Sequence, residues 1–485
     1  MAHSGERFVI VSNRGPVTFS RTESGERDHS RGAGGLVTAL NAVVNQRKGT
    51  VWVASAMSEE DIEVSSEPAP YEVEDLRVTL VEHGTEAYNL MYNQIANPLL
   101  WFVQHGLYNL PYSPRLGEDT RRAWEDGYVA VNRNFAEAAA RAVEGVESPI
   151  ILLHDYQLYM VPLLLRERLG ENAGDAFVSL FVHIPWPEPD YWRVLPKYIR
   201  EGVLESLLEA NVIAFHTHRY ARNFIETATQ VLGLEGNADK GIVYKDGREV
   251  WIRAYPISID PAEFEELAES DEVKAEEEAI RELPGQLLAR VDRMDLSKNI
   301  VRGFEAYGRM LEIHPEMREQ VTFLARVQPS REDVPEYAEY AEVVQNTVEK
   351  INARHGTDSW NPIELSMEDN FPGSVATYKN YDVLLVNAVR DGMNLVAKEA
   401  AVINENNGVL VLSENAGAYE ELGDPALTVN PFDVDDQAEA IYKALSMSAE
   451  ERRERAEELQ KVVRSNTIEH WVEAQMEDIE AYRSE

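Results

Sequence analysis

Nine short, unbroken apolar runs recur along this chain, at residues 8–11, 51–54, 150–153, 177–182, 212–215, 287–289, 321–325, 383–386 and 409–412. Longer stretches with helical periodicity lie between them, among them 158–169, 199–209, 220–232, 300–314 and 336–354. A strand wetted on one face alternates apolar and polar side chains. These runs do not alternate, which predicts an α/β protein of parallel strands covered on both faces by crossover helices. With 485 residues the chain exceeds what one core accommodates. The two series of strands part at Ala254-Tyr255-Pro256-Ile257-Ser258-Ile259-Asp260-Pro261. An acidic helical segment, 263–282, follows, and a new series starts at Leu287. Two Rossmann-like, doubly wound parallel-sheet domains facing a central cleft are therefore expected, residues 1–255 and 256–455. Residues 456–485 are helical in pattern and are expected to pack back on the first domain.

Charge and composition exclude several function classes. Asp and Glu number 85 against 46 Lys and Arg, a net charge of −39. So acidic a surface argues against nucleic acid or an anionic membrane as the main partner. The absence of cysteine rules out a disulfide framework, a thiolate zinc site and a thiol nucleophile. The apolar run 8–11 is too short for a signal peptide or a membrane span, so a cytoplasmic location is expected. Only 11 of the basic residues are lysines. Where a phosphorylated ligand binds, cations must gather locally against the overall field.

In doubly wound sheets, ligands sit beyond the carboxyl ends of the strands. After the run 383–386 comes Arg390-Asp391-Gly392-Met393-Asn394-Leu395, then a helical stretch carrying Glu399. Free N–H groups at a helix start favour an anion, and Glu399, one turn further on, reaches a hydroxyl beside it. Phosphate at one end and hydroxyl at the other describes a nucleotide-sugar. Arg293 and Lys298, in Arg293-Met294-Asp295-Leu296-Ser297-Lys298, are spaced to clamp a diphosphate by charge-assisted hydrogen bonds. Arg331 follows another strand and adds to the same positive pocket. Earlier in the chain, Ser12-Asn13-Arg14-Gly15-Pro16 follows the first strand, and Gly34 and Gly35 open a helix where a ligand can approach the backbone closely. For Arg14 alone, a surface salt bridge is the ordinary role. Asp155 ends another strand and suits either a sugar hydroxyl or a helix N-cap, the cap being the commoner use. His183, in His183-Ile184-Pro185-Trp186-Pro187, is held at a strand end by a proline-locked loop. Asp433 and Asp435 suggest a metal-binding pair, but their place before a helical stretch reads better as capping. No cluster has metal-ligand spacing, and no metal or cofactor is expected.

These pieces, in this order, resemble the trehalose-6-phosphate synthase family of retaining glycosyltransferases with the GT-B fold. The similarity runs through Arg14, Gly35-Leu36, Tyr92-Asn93-Gln94, Trp101, Trp124, Gly127-Tyr128, His154-Asp155-Tyr156, His183-Ile184-Pro185, Phe215-His216-Thr217, Tyr255-Pro256-Ile257, Arg293 to Lys298, Pro329-Ser330-Arg331 and Arg390 to Glu399. The resemblance implies that glucose moves from a nucleoside-diphosphate glucose to glucose 6-phosphate, forming α,α-trehalose 6-phosphate. It implies that Arg14, Tyr92, Trp101 and Arg331 hold the acceptor phosphate and sugar, and that Asp155 orients the acceptor hydroxyl. His183 would touch the donor sugar near the reacting carbon, and Gly34 and Gly35 would approach its phosphates. Arg293 and Lys298 would neutralise the leaving diphosphate. Asp391 and the amides of Gly392, Met393, Asn394 and Leu395 would bind donor sugar and phosphates, and Glu399 the ribose. Catalysis would need no metal, and self-association is implied.

Two departures stand out, the first in the acceptor half and the second in the donor loop. The family often carries a second tryptophan shortly after the strand matching 51–54, and here Ser55 stands near that place; Leu296 replaces a frequent tyrosine. The stretch from His183 to Pro196 is also similar to the pseudoglycosyltransferase that makes validoxylamine phosphate. The same scaffold acting on another phosphorylated acceptor, such as glycerol 3-phosphate or an aminocyclitol phosphate, is the alternative. A silent sugar-phosphate sensor is a third reading, opposed by the intact Arg293, Lys298, Asp155 and Glu399.

Overall fold

All nine apolar runs are strands in the computed structural model, which describes residues 7–32 and 35–484. The chain divides into two units, Met1–Pro256 with Trp471–Glu485, and Ile257–His470. In the first unit the strands are β1 (Phe8–Val11), β2 (Val17–Arg21), β3 (Arg27–Arg31), β4 (Val51–Ser55), β5 (Tyr71–Val73), β6 (Leu76–Val81), β7 (Ile150–His154), β8 (Phe177–Phe181), β9 (Val212–Phe215), β10 (Glu235–Asn237), β11 (Ile242–Lys245) and β12 (Arg248–Ala254). Ten of them form one sheet in the order β10-β11-β12-β9-β8-β7-β1-β4-β6-β5. The run from β12 to β6 is parallel throughout, and the antiparallel pairings are confined to the edges. The strand order reverses direction at β1, so the loops after β1 and β7 flank a topological switch point. The strands that periodicity missed are the β2–β3 hairpin and the outer strands of the sheet, β5 and β6 on one side and β10, β11 and β12 on the other. Most are short, or break their apolar residues with polar ones.

The hairpin is fastened by charge. Arg21 and Arg27 both reach the buried Glu60 at 2.6 Å, and Arg31 reaches Glu74 at 2.5 Å. Beneath it, buried Asp61 accepts from the backbone N–H groups of Phe19, Met57 and Ser58, at 2.8, 2.9 and 3.0 Å. It thereby completes a capping box with Ser58 on the helix Glu59–Ser65.

Two wide π-helical stretches, Met91–Trp101 and Ala123–Val129, pack on each other near this sheet's polar end. Gly127 permits the contact: a Cβ there would lie 2.8 Å from Met91 N and 2.5 Å from Leu90 just before it. Such π-turns recur at functional sites because the extra residue per turn re-aims the side chains. The last segment of the chain completes the unit. Trp471 packs on Phe181 and His183, with ring centroids at 5.3 and 6.4 Å, and Asp478 accepts from Arg253 at 3.0 Å.

The second unit has six parallel strands, β13 (Gln286–Arg293), β14 (Val321–Gln328), β15 (Ile363–Ser366), β16 (Val383–Val386), β17 (Val409–Ser413) and β18 (Leu427–Val429). They are ordered β15-β14-β13-β16-β17-β18, the 3-2-1-4-5-6 winding of dinucleotide-binding sheets, with its switch point between β13 and β16. Helix Ile300–Ile313 covers one face, where Phe304 and Tyr307 meet Phe323 edge-on at 5.2 and 5.4 Å. The acidic segment forms two helices, Pro261–Ala268 and Asp271–Arg281, capped by Asp260 and Ser270. Asp433 caps the helix Val434–Leu445 by accepting from Asp436 N, and Asp435 pairs with Arg309 at 2.7 Å. No described helix is long and apolar enough to cross a membrane.

Candidate active site

The switch point of the second unit gathers most of the residues expected to serve a nucleotide-sugar. β16 ends at Val386, and the chain then runs as an extended loop until the helix Val396–Ile403 begins. The helix thus starts later than a direct strand–turn–helix would have it. The intervening amides of Gly392, Met393, Asn394 and Leu395 have no acceptor among the described residues. Asn394 holds the turn: its φ is +79°, its side-chain Nδ2 donates to Asp391 at 3.1 Å, and its side-chain Oδ1 accepts from Ala397 N. Four successive unpaired N–H groups at a helix start form the anion cradle that the sequence suggests.

Lys298 stands beside that loop. It ends the turn after β13, where Asp295 accepts from Ser297 N and so bends the chain. Its ammonium lies 2.6 Å from Asp391 and 3.7 Å from Asp292. These carboxylates raise its pKa against the opposing effect of burial, so it stays cationic. Arg293 is exposed at the end of β13. Glu399 is partly buried on the first turn of its helix. Burial pushes its carboxyl up to about 7, although a hydrogen bond from Tyr378 and the charge of Lys298 pull the other way. Arg331, with φ +52°, turns its guanidinium onto the fully buried Asp295 at 3.0 Å and onto Tyr337. Part of its charge is therefore neutralised.

Beneath Lys298 lies a pair that the sequence reading missed. Arg290 is fully buried in the middle of β13; it reaches Asp292 at 3.4 Å and donates to Asn387 at the end of β16. Burial raises the Asp292 carboxyl, while Arg290 and Lys298 lower it. The chain Arg290–Asp292–Lys298–Asp391 alternates in sign, so no member is an uncompensated buried charge.

In the first unit, Asp155 follows β7 with φ +79°, a conformation that an L-residue rarely keeps without support. It precedes the turn Tyr156–Leu158 but makes no cap bond there. Its carboxylate instead accepts from the backbone N–H of His183 at 3.1 Å, so the capping role is corrected. His183 follows β8 and hydrogen-bonds through Nε2 to Nδ1 of His154, 3.1 Å away. Phe181 stacks on its ring at 4.4 Å, and His216 meets it edge-on at 5.0 Å. Burial, then the neighbouring histidines, holds its pKa well below the ordinary value, and burial holds His154 near 3. These imidazoles are neutral at physiological pH.

Of the acceptor candidates in this unit, Arg14 stands in the loop after β1. Arg14 is exposed and joins no ion pair among the described residues, so the ordinary surface salt bridge is absent. Tyr92 lies in the first π-helical stretch, stacked on Tyr88 at 5.7 Å with planes 9° apart. Trp101 ends that stretch and is buried against His105 and Tyr156, at 4.1 and 5.6 Å. Ser55 is buried and bonds both Asn13 and His83 at 3.2 Å. Gly35 opens the helix Gly35–Gln46, while Gly34 lies outside the described residues.

Of the eight described non-glycine residues with positive φ, four are Asp155, Asn299, Arg331 and Asn394. Each follows the carboxyl end of a parallel strand: β7, β13, β14 and β16 in turn. Strain held at such positions marks loops shaped for binding.

Known proteins resemble this chain over nearly its whole length. The model of glycosyltransferase family 20 matches residues 6–481. The α,α-trehalose-phosphate synthase (UDP-forming) of Yarrowia lipolytica is 35% identical over 479 residues, covering 96% of this chain and 97% of that one. A Dictyostelium discoideum relative of the same description is 32% identical, and the chain spans 61% of its length. Among solved structures, one from E. coli bound with UDP-2-fluoro glucose superposes with a TM-score of 0.83 at 28% identity, covering 97% and 98% of the two chains. A Burkholderia xenovorans α,α-trehalose-phosphate synthase in complex with glucose-6-phosphate gives 0.82 at 28%, covering 98% and 100%. The chain belongs to glycosyltransferase family 20.

Proposed function

We infer that the protein transfers glucose from UDP-glucose to glucose 6-phosphate with retention, releasing UDP and forming α,α-trehalose 6-phosphate. The observation that carries this is the pairing of four acceptor-less amides, Gly392 to Leu395, with the carboxylate-held Lys298 at one switch point. In the reaction the bond from the glucose anomeric carbon to the diphosphate oxygen breaks. The anomeric oxygen of glucose 6-phosphate bonds that carbon from the same face and loses its proton. Negative charge grows on the departing phosphate, which is positioned to take that proton, so no protein nucleophile is required. Lys298, Arg293 and the loop amides stabilise that charge most when it is greatest, lowering the barrier rather than only tightening binding. Glu399 accepts from the ribose hydroxyls. Asp155 orients the acceptor hydroxyl, with its own carboxylate fixed by His183 N. Neutral His183 donates to the donor sugar without competing for the leaving group's charge. Arg14, Tyr92, Trp101 and Arg331 hold glucose 6-phosphate. Self-association, implied by the family resemblance, is checked by light scattering.

The test is to incubate the protein with UDP-glucose and, separately, glucose 6-phosphate, glycerol 3-phosphate and an aminocyclitol phosphate, with and without EDTA. UDP release and product mass are followed. Release with glucose 6-phosphate, unchanged by EDTA, is expected. Turnover only with another acceptor would replace the acceptor assignment, and loss in EDTA would replace the charge-only mechanism.

A further inference from the structure

Tyr88 is assigned no role by the sequence motifs, yet it is the best-supported polar side chain beside Arg14. A directed relay of hydrogen bonds ends on it. Asn134 Nδ2 lies 3.3 Å from Nδ1 of His83, which makes Nδ1 the acceptor and Nε2 the protonated nitrogen. Burial lowers the His83 pKa to about 4, so the ring is neutral and that tautomer holds. Nε2–H then donates to Ser55 Oγ at 3.2 Å, Ser55 donates to Asn13 Oδ1 at 3.2 Å, and Asn13 Nδ2 donates to the Tyr88 oxygen at 3.0 Å. The last bond makes the phenol oxygen an acceptor. Within the protein its own proton has the Met57 thioether at 3.4 Å or a long return to Asn13 at 3.3 Å, and the Ser55 hydroxyl also lies within hydrogen-bonding reach of the phenol oxygen. A thioether is a weak acceptor.

The ring itself is fixed. It lies between His83 and Tyr92, nearly parallel to both, at 5.8 Å and 19° and at 5.7 Å and 9°. Tyr88 and Tyr92, four residues apart, present their phenols on one helical face. Arg14 is close enough to favour ionisation of the Tyr88 phenol, against the burial that raises it to about 12. A guanidinium without an ion-pair partner and an underused O–H donor on a rigid ring therefore share one place. Together they match a phosphate monoester, whose oxygens accept both.

We propose that Tyr88 is an acceptor-binding residue, its hydroxyl donating to the phosphate of the acceptor sugar beside Arg14, and that Asn13, Ser55 and His83 are positioning residues that aim it. This rests on the acceptor half of the function above. It gives Ser55 a role of its own, since a bulky side chain there would cut the relay between His83 and Asn13.

The test is Tyr88→Phe, which keeps the stack and removes only the hydroxyl. Losing one hydrogen bond to a charged group is expected to raise the KM for glucose 6-phosphate about tenfold. kcat, the KM for UDP-glucose and the thermal midpoint should stay near wild type, and the inhibition constant of inorganic phosphate should rise with the KM. Ser55→Ala, which breaks the relay but leaves the phenol, should raise the same KM by a smaller factor and serves if Tyr88→Phe does not fold. An unchanged KM and phosphate inhibition in a folded Tyr88→Phe, or an equal rise in the KM for UDP-glucose, would overturn the proposal. If wild type does not turn over glucose 6-phosphate, the function fails separately. Calorimetric binding of inorganic phosphate to wild type and Tyr88→Phe then still decides the Tyr88 assignment, weaker binding by the variant supporting it and equal binding refuting it.

Discussion

Lys298 concentrates the electrostatics of the second unit in one side chain. Its ammonium already has Asp391 at 2.6 Å, so it is oriented before any ligand arrives. Lys298→Ala should reduce kcat by at least about 100-fold, with a smaller change in the KM for UDP-glucose, read from UDP release. Near-normal turnover would refute its role on the leaving group. Glu399 behaves differently. Its carboxyl is raised from 4.5 to about 7 in the folded protein, so between those values the native state holds a proton that the unfolded chain does not. Its contribution to stability is present below about pH 4.5 and is lost as pH rises through about 7. Glu399→Gln, which does not titrate, should therefore gain stability relative to wild type between about pH 5 and pH 8, seen in paired thermal melts. A difference flat with pH would contradict the raised carboxyl.

At the scale of elements, buried Asp61 ties the hairpin of β2 and β3 to a helix start by backbone hydrogen bonds, beside the ion pairs that fasten it. Asp61 satisfies three backbone N–H groups, one on the hairpin and two at a helix start. Asp61→Ala should cost about 2–4 kcal/mol of unfolding free energy in a denaturant titration. That hairpin was invisible to periodicity, because β3 reads Arg27-Asp28-His29-Ser30-Arg31 and owes its place to ion pairs. The buried parallel strands were legible for the opposite reason, since both faces are covered and their runs are continuous. β13 is the instructive middle case. Its apolar run stops at Ala289, but the strand continues to Arg293, because Arg290 and Asp292 enter the interior as a pair. Charge ends an apolar pattern without ending a strand. Loops carrying Lys298, Asp391, Asp155 and His183 were found because they follow readable strands. Tyr88, His83 and Asn387 carried no spacing signal, and their significance lies in contacts between residues far apart in sequence.

Across the whole molecule, charge outweighs every local feature. With 85 acidic and 46 basic residues, like charges repel across the surface, and salt should screen that repulsion more than it weakens scattered ion pairs. Raising NaCl from about 0.05 to 1 M should lift the thermal midpoint; a fall would show that the ion pairs dominate. Connectivity has a different consequence. The chain leaves its first unit at Pro256, builds the second, and returns at Trp471 to supply the tryptophan that backs His183. During synthesis the second unit's sequence is therefore complete while the first still lacks a wall. The order of manufacture thus delays the imidazole's environment until residues 471–485 have emerged, so a ribosome-bound chain that stops at His470 would carry the anion cradle but not a finished histidine site.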